Sequence, residues 1–127
     1  MDGGQDKGLV PIEERTYQFA LRVVKLVRSL STDASGIMLG RQLLRAATSI
    51  GANVEEAIGA SSRRDFANKM AIATKEAMEA HYWLRLIRDA GIMSEERLWP
   101  LVQESLELKK ILSATVRTSR QSPGRHP

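Results

Sequence analysis

Four stretches of the chain repeat apolar residues every three or four positions, the spacing that places them along one side of an α-helix. A helix of this kind buries its apolar stripe against a neighbour and turns its polar side to water. Short segments containing Gly, Ser or Asp separate the stretches, and no stretch alternates apolar and polar residues as a strand does. The pattern therefore predicts an all-α chain with helices at about 11–30, 36–58, 63–90 and 95–120.

The short connections predict how these helices are arranged. Helices joined by short loops lie antiparallel to their neighbours, so we expect an up-down-up-down four-helix bundle over residues 11–120. A chain of 127 residues suits one such domain with a single core. Residues 1–10 are rich in Gly and Asp and are predicted to form a flexible N-terminus, and residues 121–127 are predicted to be a disordered tail.

Glycine and proline interrupt the helical pattern at three places. A glycine inside a helix costs about 1 kcal/mol relative to alanine, so we expect Gly40 and Gly51 to let a neighbouring helix approach closely. Pro100 removes a backbone hydrogen bond from the fourth helix. It therefore predicts either a turn over 94–99 followed by a helix, or a kink.

The composition excludes several kinds of active site. The chain has no cysteine, which rules out thiolate zinc sites and cysteine nucleophiles. Its histidines are His81 and His126, and the run Met78–His81 (MEAH) lacks the Glu-x-x-His spacing of di-iron bundles. Neither the P-loop motif nor the dinucleotide-binding glycine motif occurs. We therefore predict a protein that is not an enzyme and that needs no cofactor or metal. Without an apolar signal or membrane-spanning run, it is expected in the cytoplasm with no membrane partner.

The net charge of +4 lies entirely in the second half of the chain. Seven basic and seven acidic residues precede Ser61, whereas twelve basic and eight acidic residues follow from there. This bias permits contact with RNA or DNA phosphates but does not establish it, and a solvated helix surface is the more common explanation. The predicted nucleic-acid-binding residues are Arg63, Arg64, Lys69, Arg117 and Arg120, with Arg125 beside them in the tail.

A polar stripe lies beside the core face of the second helix, and a carboxylate on the third helix lies between two apolar groups. Burying an unpaired charge is costly, so Glu76 needs a partner, for which Arg45 offers a charge and Asn53 a hydrogen bond. We predict an interhelical polar network that fixes register or a subunit interface; a functional pocket and plain solvent exposure are the alternatives. The network comprises Arg45, Ser49, Asn53, Glu56 and Glu76.

The third helix carries apolar residues on two sides, although one bundle core needs only one stripe. The second group comprises Ile72, Trp83 and Leu86, roughly 100° from the main stripe on a helical projection. An apolar group left outside the core needs a cover, and self-association is the simplest one. These three residues are therefore the predicted oligomer interface.

Three segments taken together carry a family resemblance. The run RAATSIGANVEEA (Arg45–Ala57), then SRRDF (Ser62–Phe66), then KEAMEAHYWL (Lys75–Leu84) resemble the four-helix-bundle proteins related to the 23S rRNA intervening-sequence proteins. The resemblance extends over about 16–112. The family's Asn-x-x-Glu segment corresponds to Asn53 and Glu56, and the carboxylates of its third helix correspond to Glu76 and Glu79.

The resemblance implies a bacterial protein that assembles as a ring-like homopentamer. It also implies a relation to accessory proteins of diversity-generating retroelements, which bind a reverse transcriptase and nucleic acid through a basic surface. The resulting hypothesis is a non-enzymatic oligomeric scaffold or accessory module. The alternative is a nucleic-acid-binding accessory protein for structured RNA or DNA that partners a reverse transcriptase.

Overall fold

The computed structural model describes residues 10–121, which form four helices and no strand in that range. The helices are α1 (Ile12–Val27), α2 (Ala34–Ile58), α3 (Arg63–Asp89) and α4 (Glu95–Gln121). The all-α prediction is therefore confirmed. Apart from Val10 and Gln121, the predicted flexible N-terminus and disordered tail lie outside the described residues, and Gln121 is the last residue of α4.

Helices that follow one another in the chain pack together, as in an antiparallel bundle. The most extensive contacts join α2 to α3 and α3 to α4, while α1 packs on α2 and touches α4 over a smaller area. The two most extensive interfaces therefore both involve α3, whereas α1 packs against α2 and α4.

The helix ends are fixed by side chains and a glycine that satisfy exposed backbone groups. The Asp33 carboxylate accepts a hydrogen bond from the Gly36 amide at 2.8 Å and so caps α2. The Ser62 hydroxyl accepts one from the Asp65 amide at 3.0 Å and caps α3. At the other end of α3, Gly91 has a φ of 73°, a conformation that favours glycine and stops the helix.

Small side chains fill the interface between the two central helices. Six alanines on α2 and α3 are at most 1% exposed, so the two backbones can approach more closely than larger side chains would allow. These alanines are Ala46, Ala47, Ala57, Ala73, Ala77 and Ala80. Larger residues fill the remaining core; the fully buried ones include Phe19, Leu43, Ile50, Leu84, Ile87, Leu98, Leu108 and Leu112.

Two helix boundaries differ from the sequence prediction by two or more residues. The first helix ends at Val27 rather than Leu30, because the amides of Ser29 and Leu30 bond back three residues in tight turns of 3.0 and 3.1 Å. Leu30 nevertheless reaches the core, since the turn carries its side chain inward. The second helix begins at Ala34 instead of residue 36, because Asp33 supplies the cap.

Pro100 does not begin a helix, and the separate turn expected over 94–99 does not form. Instead α4 begins at Glu95 and continues through Pro100 in its second turn. The bond that proline cannot donate would have gone to the Glu96 carbonyl. Both residues are exposed, so water can satisfy that carbonyl.

The glycines of α2 face α1 and the preceding loop. A β-carbon on Gly40 would lie 3.1 Å from Leu30 and 3.3 Å from Val27, which confirms the expected close approach. A β-carbon on Gly51 would meet Thr16 of α1 at 3.7 Å, an ordinary contact. On Gly36 it would lie 2.3 Å from the Ser31 carbonyl oxygen, which leaves no room for it.

One ion pair fastens α1 to α4, where the helix contact is smallest. Arg15 Nε lies 2.7 Å from Glu104 Oε2, and Arg15 Nη2 donates to Glu104 Oε1 at 3.0 Å. The two parallel bonds match the planar guanidinium to the carboxylate. The hydrogen bond to Glu104 is the main cause of a raised Arg15 pKa. The pair therefore links α1 to α4, the two helices whose contact is the smallest in the bundle.

Replacing two glycines of α2 by alanine is expected to have opposite effects. Gly51→Ala should raise the free energy of unfolding by up to about 1 kcal/mol, because helix propensity improves without a clash. Gly36→Ala should lower it by about 1–3 kcal/mol, because a backbone oxygen blocks the new methyl group. Urea denaturation measures both changes, and a Gly36→Ala protein as stable as the wild type would contradict the packing described.

Arg15 of α1 and Glu104 of α4 are expected to show a favourable coupling free energy in unfolding experiments. A double-mutant cycle with Arg15→Met and Glu104→Gln should give a coupling of about 1 kcal/mol, because the pair is partly buried and doubly hydrogen-bonded. The control cycle uses Glu107 and Lys110, a solvent-exposed pair at 3.6 Å that should couple by less than about 0.5 kcal/mol. Equal coupling in the two cycles would show that the α1–α4 pair has no special role.

Candidate interaction surfaces

Arg45 joins α2 to two carboxylates of α3. Its Nη1 lies 3.2 Å from Glu76 Oε1, and its Nη2 contacts the Glu79 carboxylate. The structure thus brings together Arg45 and Glu76 of the predicted network and adds Glu79 to them. All three side chains lie at the edge of the α2–α3 interface with part of their surface in solvent.

The other three residues of the predicted network make different contacts. Asn53 Nδ2 donates to the carbonyl and hydroxyl oxygens of Ser49 at 2.9 and 3.1 Å, within α2. Glu56 forms an ion pair of 2.8 Å with Lys69 of α3. The five residues therefore do not contact one another as one group. Lys69, predicted to bind nucleic acid, is instead engaged by Glu56 at the α2–α3 interface.

Large apolar side chains are exposed on the side of α3 that faces away from the core. Ile72, Met78, Tyr82 and Leu86 span an arc of about 120° on the helix, and we call them the α3 outer face. Of the predicted interface, Ile72 and Leu86 belong to this face. Trp83 is half-buried against the core, with its ring 4.9 Å from that of Tyr82.

Three arginines meet at the end of the bundle where α3 begins and α4 ends. Arg63, Arg64 and Arg120, here called the arginine cluster, line a cavity of about 460 Å³ together with Asn68. Arg120 Nη2 donates to Asn68 Oδ1 at 3.3 Å. Arg117 is exposed and does not line this cavity, and Arg125 lies outside the described residues.

A groove of about 710 Å³ runs along α4 and was not predicted from the sequence. His81, Arg85 and Arg88 line it from α3, and Trp99 lines it from α4. Burial, followed by the charges of Arg85, Arg88 and Lys109, lowers the pKa of His81. The available signal was the spacing of these three α3 residues, which recur at helical intervals on one face.

The described residues contain no group of three or more His, Asp or Glu side chains that could hold a metal ion. Within the same residues, none of the helices has the length and apolar character needed to cross a membrane.

Comparison with known proteins agrees with this fold. The family model for the 23S rRNA-intervening sequence protein matches residues 10–114. The chain is also similar to a crystal structure of a protein with unknown function from the S23 ribosomal protein family of Bacteroides thetaiotaomicron VPI-5482. That likeness has 37% sequence identity and a TM-score of 0.78, and it covers 84% of this chain and 98% of the other. No curated protein matches the chain.

The two matches confirm the resemblance read from the three sequence segments, because the family model includes all of them. The similar crystal structure extends the agreement from sequence to the whole bundle. The chain belongs to the 23S rRNA-intervening sequence protein family.

Proposed function

We propose that the chain is a non-enzymatic, self-associating four-helix bundle that acts as a scaffold or accessory module. The observation that carries this proposal is the α3 outer face. Four large apolar side chains are exposed there, on the helix whose opposite side forms the centre of the core. Covering such a patch removes apolar surface from water and is favourable by about 25 cal/mol per Å².

The residues around this face suit a contact between copies of the chain. Lys75 lies among the apolar residues and is exposed, so it adds a polar group beside the apolar centre, as is common in protein contacts. A homopentameric ring is the assembly that the family resemblance implies, and it is the one we propose. A scaffold of this kind would present several identical copies of its remaining surfaces to a partner.

A substitution of Trp83 would affect both the stability of the fold and any subunit interface. The ring packs against the core, and the indole nitrogen is buried with no hydrogen-bond partner among the described residues. A charged residue at this position would therefore disturb the fold as well as any interface. Leu86 and Ile72 are better probes, since their side chains already reach solvent.

The oligomer is expected to dissociate when the α3 outer face carries charges. Ile72→Glu combined with Leu86→Glu should give a monomer of 14.1 kDa, because the apolar contact would have to bury two carboxylates. Sedimentation velocity measures the mass, and circular dichroism checks that the helices persist. The single variants Leu86→Glu and Leu21→Glu form a matched pair, since both leucines are 36% exposed on helices.

We expect Leu86→Glu to weaken association and Leu21→Glu on α1 to leave it unchanged. A wild-type protein that sediments as a monomer would contradict the proposed self-association. An unchanged oligomer in the double variant would remove the α3 outer face as its interface.

The arginine cluster favours a second function, the binding of structured RNA or DNA. No acidic residue lines its cavity, so the three guanidinium groups are not neutralised by a carboxylate in that lining. Arginine also suits phosphate, because its planar donors make paired hydrogen bonds to the oxygens. In the retroelement branch that the resemblance includes, the protein partner would be a reverse transcriptase.

Neutralising the arginine cluster is expected to weaken nucleic-acid binding and to reduce its dependence on salt. Changing Arg63, Arg64 and Arg120 to Gln should lower the slope of log affinity against log salt by about 2–3 for duplex DNA, because up to three phosphate contacts are lost. Filter binding to structured RNA and duplex DNA at several salt concentrations measures the change.

The control removes the same charge elsewhere, by changing the exposed residues Lys25, Arg28 and Arg41 to Gln. It should leave the slope close to that of the wild type. If the wild-type protein retains no nucleic acid at low salt, this second function is wrong.

A further inference from the structure

The groove along α4 continues into a second depression of the surface. The groove of about 710 Å³ and an adjoining recess of about 230 Å³ share His81, Arg85 and Leu106 as lining residues. Lys109 lines the recess and Trp99 lines the groove. The volume of the groove lies in the range of small-molecule sites, which is about 300–1,000 Å³.

The cations of this groove are unequally engaged. Arg88 donates to Asp89 at 2.9 Å, and Lys110 lies 3.6 Å from Glu107. By contrast, Arg22 in the groove, Arg85 in both depressions and Lys109 in the recess form no ion pair within residues 10–121. An anion in the recess would therefore find two free positive charges.

Two carboxylates also line the groove, and each has a cation of its own. Glu104 is held by Arg15 through two hydrogen bonds, and Glu107 faces Lys110. His81 lines the recess together with both free cations, and its burial and the positive charges of Arg85, Arg88 and Lys109 lower its pKa. A lowered pKa favours the neutral form of the imidazole, which adds no charge to the recess and can donate one hydrogen bond.

An aromatic surface is exposed near these cations. Trp99 is 46% exposed and lines the groove together with Arg88. Along α4, Trp99 and Lys109 are ten residues apart, which corresponds to about 15 Å on the helix axis. A ligand that uses both ends must therefore be elongated, with a flat ring at one end and negative charge at the other.

We propose that the groove along α4 and its recess bind a nucleoside polyphosphate, with the base on Trp99 and the phosphates at Arg85 and Lys109. The base stacks on the exposed indole ring, a contact that any nucleobase can make. The phosphate oxygens accept charge-assisted hydrogen bonds from the guanidinium and ammonium groups. The groove is separate from the arginine cluster, with which it shares no lining residue.

The phosphate end is tested by isothermal titration calorimetry with ATP in buffer free of Mg²⁺. Arg85→Gln should weaken ATP binding about tenfold, because one charge-assisted contact is lost. Arg41→Gln is the matched control, since it removes an exposed positive charge from α2 without touching the groove, and it should leave the affinity unchanged. An equal loss of ATP affinity in the two variants would show only a general attraction between ATP and positive charge, and it would overturn the proposed site.

The base end is tested with Trp99→Ala and two ligands. This variant should weaken the binding of ATP and leave the binding of inorganic tripolyphosphate unchanged, because tripolyphosphate has no ring to stack. Arg85 and Trp99 are both exposed, and circular dichroism checks that the Arg85→Gln and Trp99→Ala variants keep the fold. The proposal is overturned if the wild type shows no ATP binding at millimolar concentration, or if Trp99→Ala binds ATP as tightly as the wild type.

Discussion

The close contact between α2 and α3 through buried alanines is the constraint on which the rest of the structure depends. Because small side chains bring the two backbones together, the longer polar residues at the rim can reach across. Arg45 contacts Glu76 and Glu79 there, and Glu56 contacts Lys69. The same packing turns one side of α3 fully inward, so the apolar residues on its other side have no place in the core.

The bundle is less uniform around α4. Its contact with α3 is extensive, whereas its contact with α1 is small and includes the pair Arg15–Glu104. Because α4 packs closely on α3 but only loosely on α1, a depression remains on the surface of α4. The groove with His81 and Trp99 lies in this depression. The proposed association surface and the proposed ligand groove thus have different origins: the first is surplus apolar surface on α3, and the second is incomplete packing around α4.

Periodicity predicted the four helices, and Ser62 and Gly91 lie at the two ends of α3. Local rules were less reliable for Pro100, whose helix persists at a position where both Pro100 and Glu96 are exposed and water can reach the backbone. The sequence indicated one contact between distant residues, Arg45 with Glu76, but it carried no signal for the pair Arg15–Glu104, whose residues are 89 positions apart. The partner of Glu56 was missed for the same reason, since any of several cations on α3 could face it.

The alanine-lined interface restricts which sequences can adopt this bundle. Each of these positions is at most 1% exposed, so a larger side chain there would have to push its neighbours apart. By contrast, Gly51 has ordinary contact distances around an added β-carbon and can accept a methyl group. Amino-acid replacement during evolution should therefore be tightly limited at the buried alanines and more permissive at Gly51.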